Sequence, residues 1–218
     1  MRLFLSSYHF GKYGKEYADL VGGQRRVAVI FNASDAYEAN ELYAQKCQVV
    51  LDSCSQLGLE PETFDLRNYF EDQSELEADL KKFDGIWVVG GNSFVLRRAM
   101  RYSGFDQALP KLLAENALAY GGFSAGACVL APSLRGIELC DDPNDVPCGY
   151  AEEIVWEGLD IVPYAIAPHY RSEHPETELI ERVVDYFKTN CINYKTLQDG
   201  QVILIAGNDA ELLKQEPN

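Results

Sequence analysis

Long apolar runs are missing from this chain, and no stretch approaches the roughly 20 residues that span a bilayer. A secretory leader is not expected either. The opening Met1-Arg-Leu-Phe-Leu-Ser-Ser7 is too short for a signal peptide and reads as a first buried strand. Basic charge is scarce: 19 Lys and Arg stand against 34 Asp and Glu, a formal net charge of −15. That balance argues against a nucleic-acid or anionic-membrane partner. The acidity is spread along the chain, so a well-solvated surface accounts for it. Neither Gly-x-Gly-x-x-Gly nor a Walker lysine is present, which removes the common phosphate-cradling motifs. The six cysteines (Cys47, Cys54, Cys128, Cys140, Cys148 and Cys191) form no Cys-x-x-Cys pair. Reduced thiols in a cytoplasmic protein are the expectation. Histidines number only three, His9, His169 and His174, and no tight ligand spacing supports a metal site.

With 218 residues, 47% of them apolar, the chain can bury one substantial core, and one domain over 1–218 is expected. Short β-rich runs alternate with helical patterns. Residues 2–6, 26–31, 62–66 and 86–89 read as strands, and 117–120 as the run before a glycine-rich turn. Helices are predicted over 37–57, with Leu42, Val49, Val50, Cys54 and Leu57 near one face, and over 94–102 and 105–115. A short one over 74–82 would start at Ser74, with Glu77 completing a capping box. The rhythm predicts an α/β fold, a doubly wound and mostly parallel sheet sandwiched by helices. Such sheets place ligands beyond the carboxyl ends of their strands. Farther on, 132–160 reads as a loop excursion, 161–167 as a strand and 175–188 as an amphipathic helix. Residues 194–197 and 201–206 read as a terminal strand pair joined through Gln198-Asp199-Gly200.

Chemistry concentrates at Gly122-Phe-Ser124-Ala-Gly126. A serine between glycines, after an apolar run and before a small-residue helix over 125–130, has the composition of a nucleophile elbow. The pattern alone also fits an ordinary glycine-rich turn. A serine hydroxyl needs an adjacent base. His169 follows a predicted strand and leads; His174 and His9 are weaker candidates. The acid that would orient the base is Asp199, although Asp-Gly is also a common hairpin turn. Asp141, Asp142, Asp145 and Asp160 offer the alternative Ser–Asp–His order, and spacing does not choose. Gly90-Gly91-Asn92 can present a backbone N–H that pairs with that of Ala125 as an oxyanion hole.

Together, Val88-Val-Gly-Gly-Asn-Ser-Phe94, Gly122-Phe-Ser-Ala-Gly-Ala127, Ala167-Pro-His-Tyr170 and Leu197-Gln-Asp-Gly200 resemble the S51 family of serine peptidases, in the family's order. The resemblance implies a fold related to class I glutamine amidotransferases. It makes Ser124 the nucleophile, His169 the base and Asp199 the third member, where the family often has Glu. The amides of Gly91 and Ala125 become the oxyanion hole, with Asn92 of the Gly-Gly-Asn motif on the substrate side. Aspartyl-specific members carry an aspartate in Asn-Asp-x-Pro after the elbow. Asn144-Asp145-Val-Pro147 matches in letters, with Asp142 as the fallback. Where those members have a basic residue early in the following helix, Glu178 stands here, leaving Arg171 as the substitute. The implied activity is hydrolysis of short peptides, Asp-X dipeptides among them, by an acyl-enzyme without cofactor or metal. A small peptide is the expected partner, and a homodimer the assembly to test. The rivals are an esterase drawing its acid from 141–160, and a non-catalytic binding member of the same fold.

Overall fold

Alternation in Arg2-Leu-Phe-Leu-Ser6 builds the first strand, β1, of the computed structural model, which describes residues 1–37, 41–207 and 209–214, with only the backbone of Leu42. The strand's side chains divide between the two faces of the sheet. Leu3 and Leu5 join one apolar core and Phe4 the other. The same division runs through β2 (Arg26–Ile30), where Ala28 and Ile30 face one core and Val27 and Val29 the other. A sheet buried on both faces must be covered on both. The helix α1 (Gly14–Val21) and the later part of α2 (Glu41–Gln56) cover the Phe4 side. The helices α3 (Leu76–Leu80), α4 (Ser93–Tyr102) and α5 (Phe105–Ala114) cover the other.

With β3 (Glu60–Thr63), β4 (Gly85–Val88) and β5 (Ala119–Phe123), five strands run parallel in the order β3-β2-β4-β5-β1. The register sets Gly122 opposite both Val88 and Leu5, so the chain leaves β1, β4 and β5 at one edge. After β5 come the four-residue helix α6 (Ala125–Cys128), the strand β6 (Ala165–Ala167), α7 (Thr177–Thr189) and β7 (Tyr194–Thr196). The strands β8 (Val202–Ala206) and β9 (Asp209–Leu213) then complete the large sheet in antiparallel sense, β8 against β1.

Several expectations are corrected. The segments around 194–197 and 201–206 are not a hairpin: β7 pairs in parallel with β6 in a separate two-stranded sheet. Asp199 therefore lies on a crossing between two sheets. The capping box at Ser74 is absent; Ser74 donates its N–H to Asp72, and Glu77 pairs with Lys81 at 2.7 Å. The strand expected over 161–167 is only β6, and α1 went unpredicted. The helix expected over 37–57 is α2; residues 38–40 and the Leu42 side chain lie outside the described residues. The excursion over 132–160 is pinned by a buried cation. Arg98 of α4 donates to the carbonyls of Pro143, Asp145, Glu152 and Glu153 at 2.7–3.2 Å. Among the described residues, no helix is long and apolar enough to cross a membrane.

Candidate active site

Ser124 sits between β5 and α6 with φ 49° and ψ −117°. A non-glycine residue there is strained by about 1–3 kcal/mol, and such strain gathers at functional sites. The turn closes because Gly126 lacks a side chain: a Cβ would lie 2.5 Å from the Val88 carbonyl oxygen. Tyr120 locks the other side by donating its hydroxyl to the Gly126 carbonyl at 2.5 Å. The Ser124 carbonyl accepts from the amides of Ala127 and Cys128, fixing the helix start. Ser124 is half-buried, and among the described residues its hydroxyl has no hydrogen-bond partner.

His169 follows β6 by two residues and is 2% exposed. Its Nδ1 lies 2.7 Å from Asp199 Oδ1. Its backbone N–H donates to Ser7 Oγ at 2.7 Å, and that hydroxyl donates onward to Asp199 Oδ1 at 2.7 Å. Its carbonyl accepts from Thr177 Oγ1 at 3.0 Å. One ring nitrogen and both backbone groups are thus committed, leaving the Nε2 edge. Burial alone would raise the Asp199 carboxyl. Hydrogen bonds from His169 and Ser7 outweigh it and hold that carboxyl below its ordinary range.

A cavity of about 730 Å³ opens beyond the strand ends, and Ser124, His169, Gly90 and Gly91 all line it. All three histidines of the chain line it, as does Glu176. Three of the lining residues, His9, Ser124 and His169, have positive φ without being glycine. Gly91 has φ 146°, and a Cβ there would lie 2.5 Å from the Ala33 carbonyl oxygen. Among the described residues, neither the Gly91 nor the Ala125 amide donates a hydrogen bond. Two unspent donors therefore flank the Ser124 turn.

The other expected residues lie elsewhere. Asn92 is buried outside the cavity lining, where its Oδ1 caps α4 by accepting from Phe94 and Val95. Its amide donates to the Asp142 carbonyl at 2.8 Å and to Asp145 Oδ2 at 3.1 Å. Asp142 itself accepts from the Asn144 amide groups. Arg171 is exposed, stacked over Tyr170 and 3.6 Å from Glu181. Glu178 is also exposed; the acid that reaches the cavity is Glu176.

Asp141, named from the sequence only as one acid of the alternative Ser–Asp–His order, is held in place by α4. It accepts from the Ser93 amide at 2.8 Å, and burial pushes its carboxyl up to about 6, with hydrogen bonds from Ser93 opposing and Glu176 reinforcing the shift. Asp141-Asp142-Pro143 has the Asp-x-Pro spacing, four residues ahead of the more obvious match. Ser7 was missed, because a lone serine after a strand carries no signal.

Ligand atoms of His169, His174 and Glu176 lie within 4.8 Å of one another. Imidazole binds metal through a lone pair in its ring plane. The two rings are parallel to within 9° at a centroid separation of 3.7 Å, so one ion cannot lie in both planes. The cluster as it stands is a stacked pair, not a metal centre.

The sequence profile of peptidase family S51 matches residues 5–213. Peptidase E of Streptomyces coelicolor is 34% identical over 153 residues, covering 68% of this chain and 59% of that protein. A probable alpha-aspartyl dipeptidase of Drosophila melanogaster is 30% identical over 142 residues, covering 63% of this chain and 56% of that protein. The matches thus span less than two thirds of those relatives' length. A crystal structure of a candidate peptidase E from Listeria monocytogenes superposes with a TM-score of 0.80, covering 99% of this chain and 98% of that one at 23% identity. That likeness establishes the fold, an α/β sandwich of the class I glutamine amidotransferase type. Spanning nearly the whole sequence in one profile, and with strand order and elbow in place, the chain belongs to peptidase family S51.

Proposed function

We propose that this chain is a serine-type dipeptidase acting on short peptides. Ser124 attacks the peptide carbonyl. His169 accepts the serine proton through Nε2 and passes it to the leaving amine, and water then hydrolyses the acyl-enzyme. Asp199 holds the imidazole tautomer and supports the imidazolium. The amides of Gly91 and Ala125 receive the developing oxyanion. The observation that carries this reading is a buried histidine, bonded at Nδ1 to Asp199 at 2.7 Å, that shares one cavity with a strained serine. No hydrogen bond joins Ser124 to His169 in the resting site, as is common before substrate binds.

The Nδ1–Asp199 bond favours the Ser–His–Asp order over an esterase drawing its acid from 141–160. Its one near rival, Asp141, is occupied with the Ser93 amide. The cavity supports a small substrate. Among the described residues its lining contains no arginine, and Lys46 and Glu176 are the charged ones besides histidine, so none of these singles out an acidic side chain. Fluorophosphonate labelling tests the nucleophile. Wild type is expected to label and to hydrolyse dipeptides, and Ser124→Ala to do neither. Labelling that persists in Ser124→Ala overturns the assignment, and a dipeptide panel including Asp-X reads the specificity.

A further inference from the structure

The proposed base needs more than one restraint. Asp199 fixes a point, His169 Nδ1 at 2.7 Å, but a ring held at one nitrogen can still swing its other nitrogen through an arc. A second restraint must fix the plane. The imidazole of His174 lies flat against that of His169, with centroids 3.7 Å apart and planes 9° from parallel. Tyr8 approaches the same ring edge-on at 6.0 Å and 66°, and so cannot hold its plane in the same way.

His174 is itself held. Its Nδ1 accepts from the Glu176 backbone N–H at 3.3 Å, and the Glu176 carboxylate stands 3.9 Å from that nitrogen. Between them Pro175 restricts the backbone. A nitrogen that accepts an N–H carries no proton, so His174 is neutral and protonated at Nε2. Burial and the neighbouring His169 both lower its pKa, which favours the same state.

We infer that His174 is a positioning residue: its neutral ring sets the plane in which His169 presents Nε2 to Ser124. This rests on the proposed role of His169. During acyl transfer His169 becomes an imidazolium twice, and each time an uncharged aromatic face at 3.7 Å receives that charge favourably. No proton passes through His174, so its contribution survives in any flat, uncharged ring of similar size. That separates it from a substrate contact or a proton carrier.

The test compares His174→Phe, which keeps a flat face, with His174→Leu, which keeps bulk without one. His174→Leu is expected to lower kcat and the rate of fluorophosphonate inactivation together by about 10- to 100-fold, the size of effect that sub-ångström misplacement of a base produces. KM should stay within about twofold, because the bulk that residue 174 presents to the cavity is kept. His174→Phe should restore most of both rates. In proton NMR the downfield His169 Nδ1–H signal should persist in His174→Phe and broaden in His174→Leu. Thermal melts identify a variant that fails to fold, and the other then carries the comparison against wild type. Full kcat in His174→Leu overturns the inference, as does a change confined to KM or a His174→Phe no better than His174→Leu. His169→Ala is the separate control: if it keeps its activity, the base assignment itself is wrong.

Discussion

Replacing Asp199 by asparagine removes one charge while leaving the shape of the site almost unchanged. The carboxylate meets His169 Nδ1 at 2.7 Å, and its side chain is 26% exposed. Opposite charges about 4 Å apart attract by about 4 kcal/mol at an effective dielectric near 20. Partial exposure screens some of that, so about 3 kcal/mol of support for the imidazolium is expected to disappear. At about 1.4 kcal/mol per decade, kcat/KM falls about 100-fold. A further loss, to about 10⁴-fold, follows if the new amide turns its NH2 toward Nδ1 and fixes the wrong tautomer. Ser7 favours the smaller figure, since it donates to Oδ1 and keeps an oxygen on that side. Dipeptide hydrolysis and the second-order rate of fluorophosphonate inactivation both read this loss, with a melt to confirm folding. Activity within threefold of wild type, alongside an inert Ser124→Ala, would refute the reasoning and move the acid elsewhere. Asp141→Asn in the same assay then shows whether the acid has moved there.

Asp141 also makes a stability prediction. Folding raises its carboxyl to about 6, so between pH 4 and 6 the folded chain holds a proton that the unfolded one releases, and stability falls as pH rises through that window. Asp141→Asn should therefore exceed wild type above pH 6 by up to about 3 kcal/mol, with the gain vanishing near pH 4, as read by urea melts across pH. Gly126→Ala forces a Cβ to 2.5 Å from the Val88 carbonyl oxygen and should cost about 1–3 kcal/mol, lowering Tm by several degrees. Arg98→Met strips a buried donor from four carbonyls; a loss of at least about 3 kcal/mol and faster proteolysis within residues 140–153 are expected.

Legibility in the sequence tracked distance along the chain. The elbow could be read because its requirements are local: two glycines, a serine and a small-residue helix fall within the seven positions Gly122–Cys128. The parallel sheet could be read from buried runs such as Arg26–Ile30, apolar because both faces are covered. The terminal pair was misread because Asp-Gly between two β-rich runs has the local chemistry of a hairpin, whereas β7 finds its partner in β6. Ser7 joins His169 across 162 positions and Asp199 across 192, and no local pattern encodes that meeting. Asn144-Asp145-Val-Pro147 is the match by letter, and only the fold shows that Asp141 accepts from the Ser93 amide. His174 ranked behind His169 as a candidate base, and only the fold shows its ring lying on that of His169.

The position of β1 between β5 and β8 bears on when in its own synthesis the chain could become active. A nascent chain that has cleared the ribosome through α6 already carries the serine and both unspent amides. It lacks His169, Asp199 and the strand that packs on the other side of β1. The hydroxyl of Ser7 waits for a carboxylate made 192 residues later. On the proposed mechanism, a partly synthesised copy holds Ser124 without the groups that would ionise it. On that mechanism, activity arrives only as β8 closes on β1.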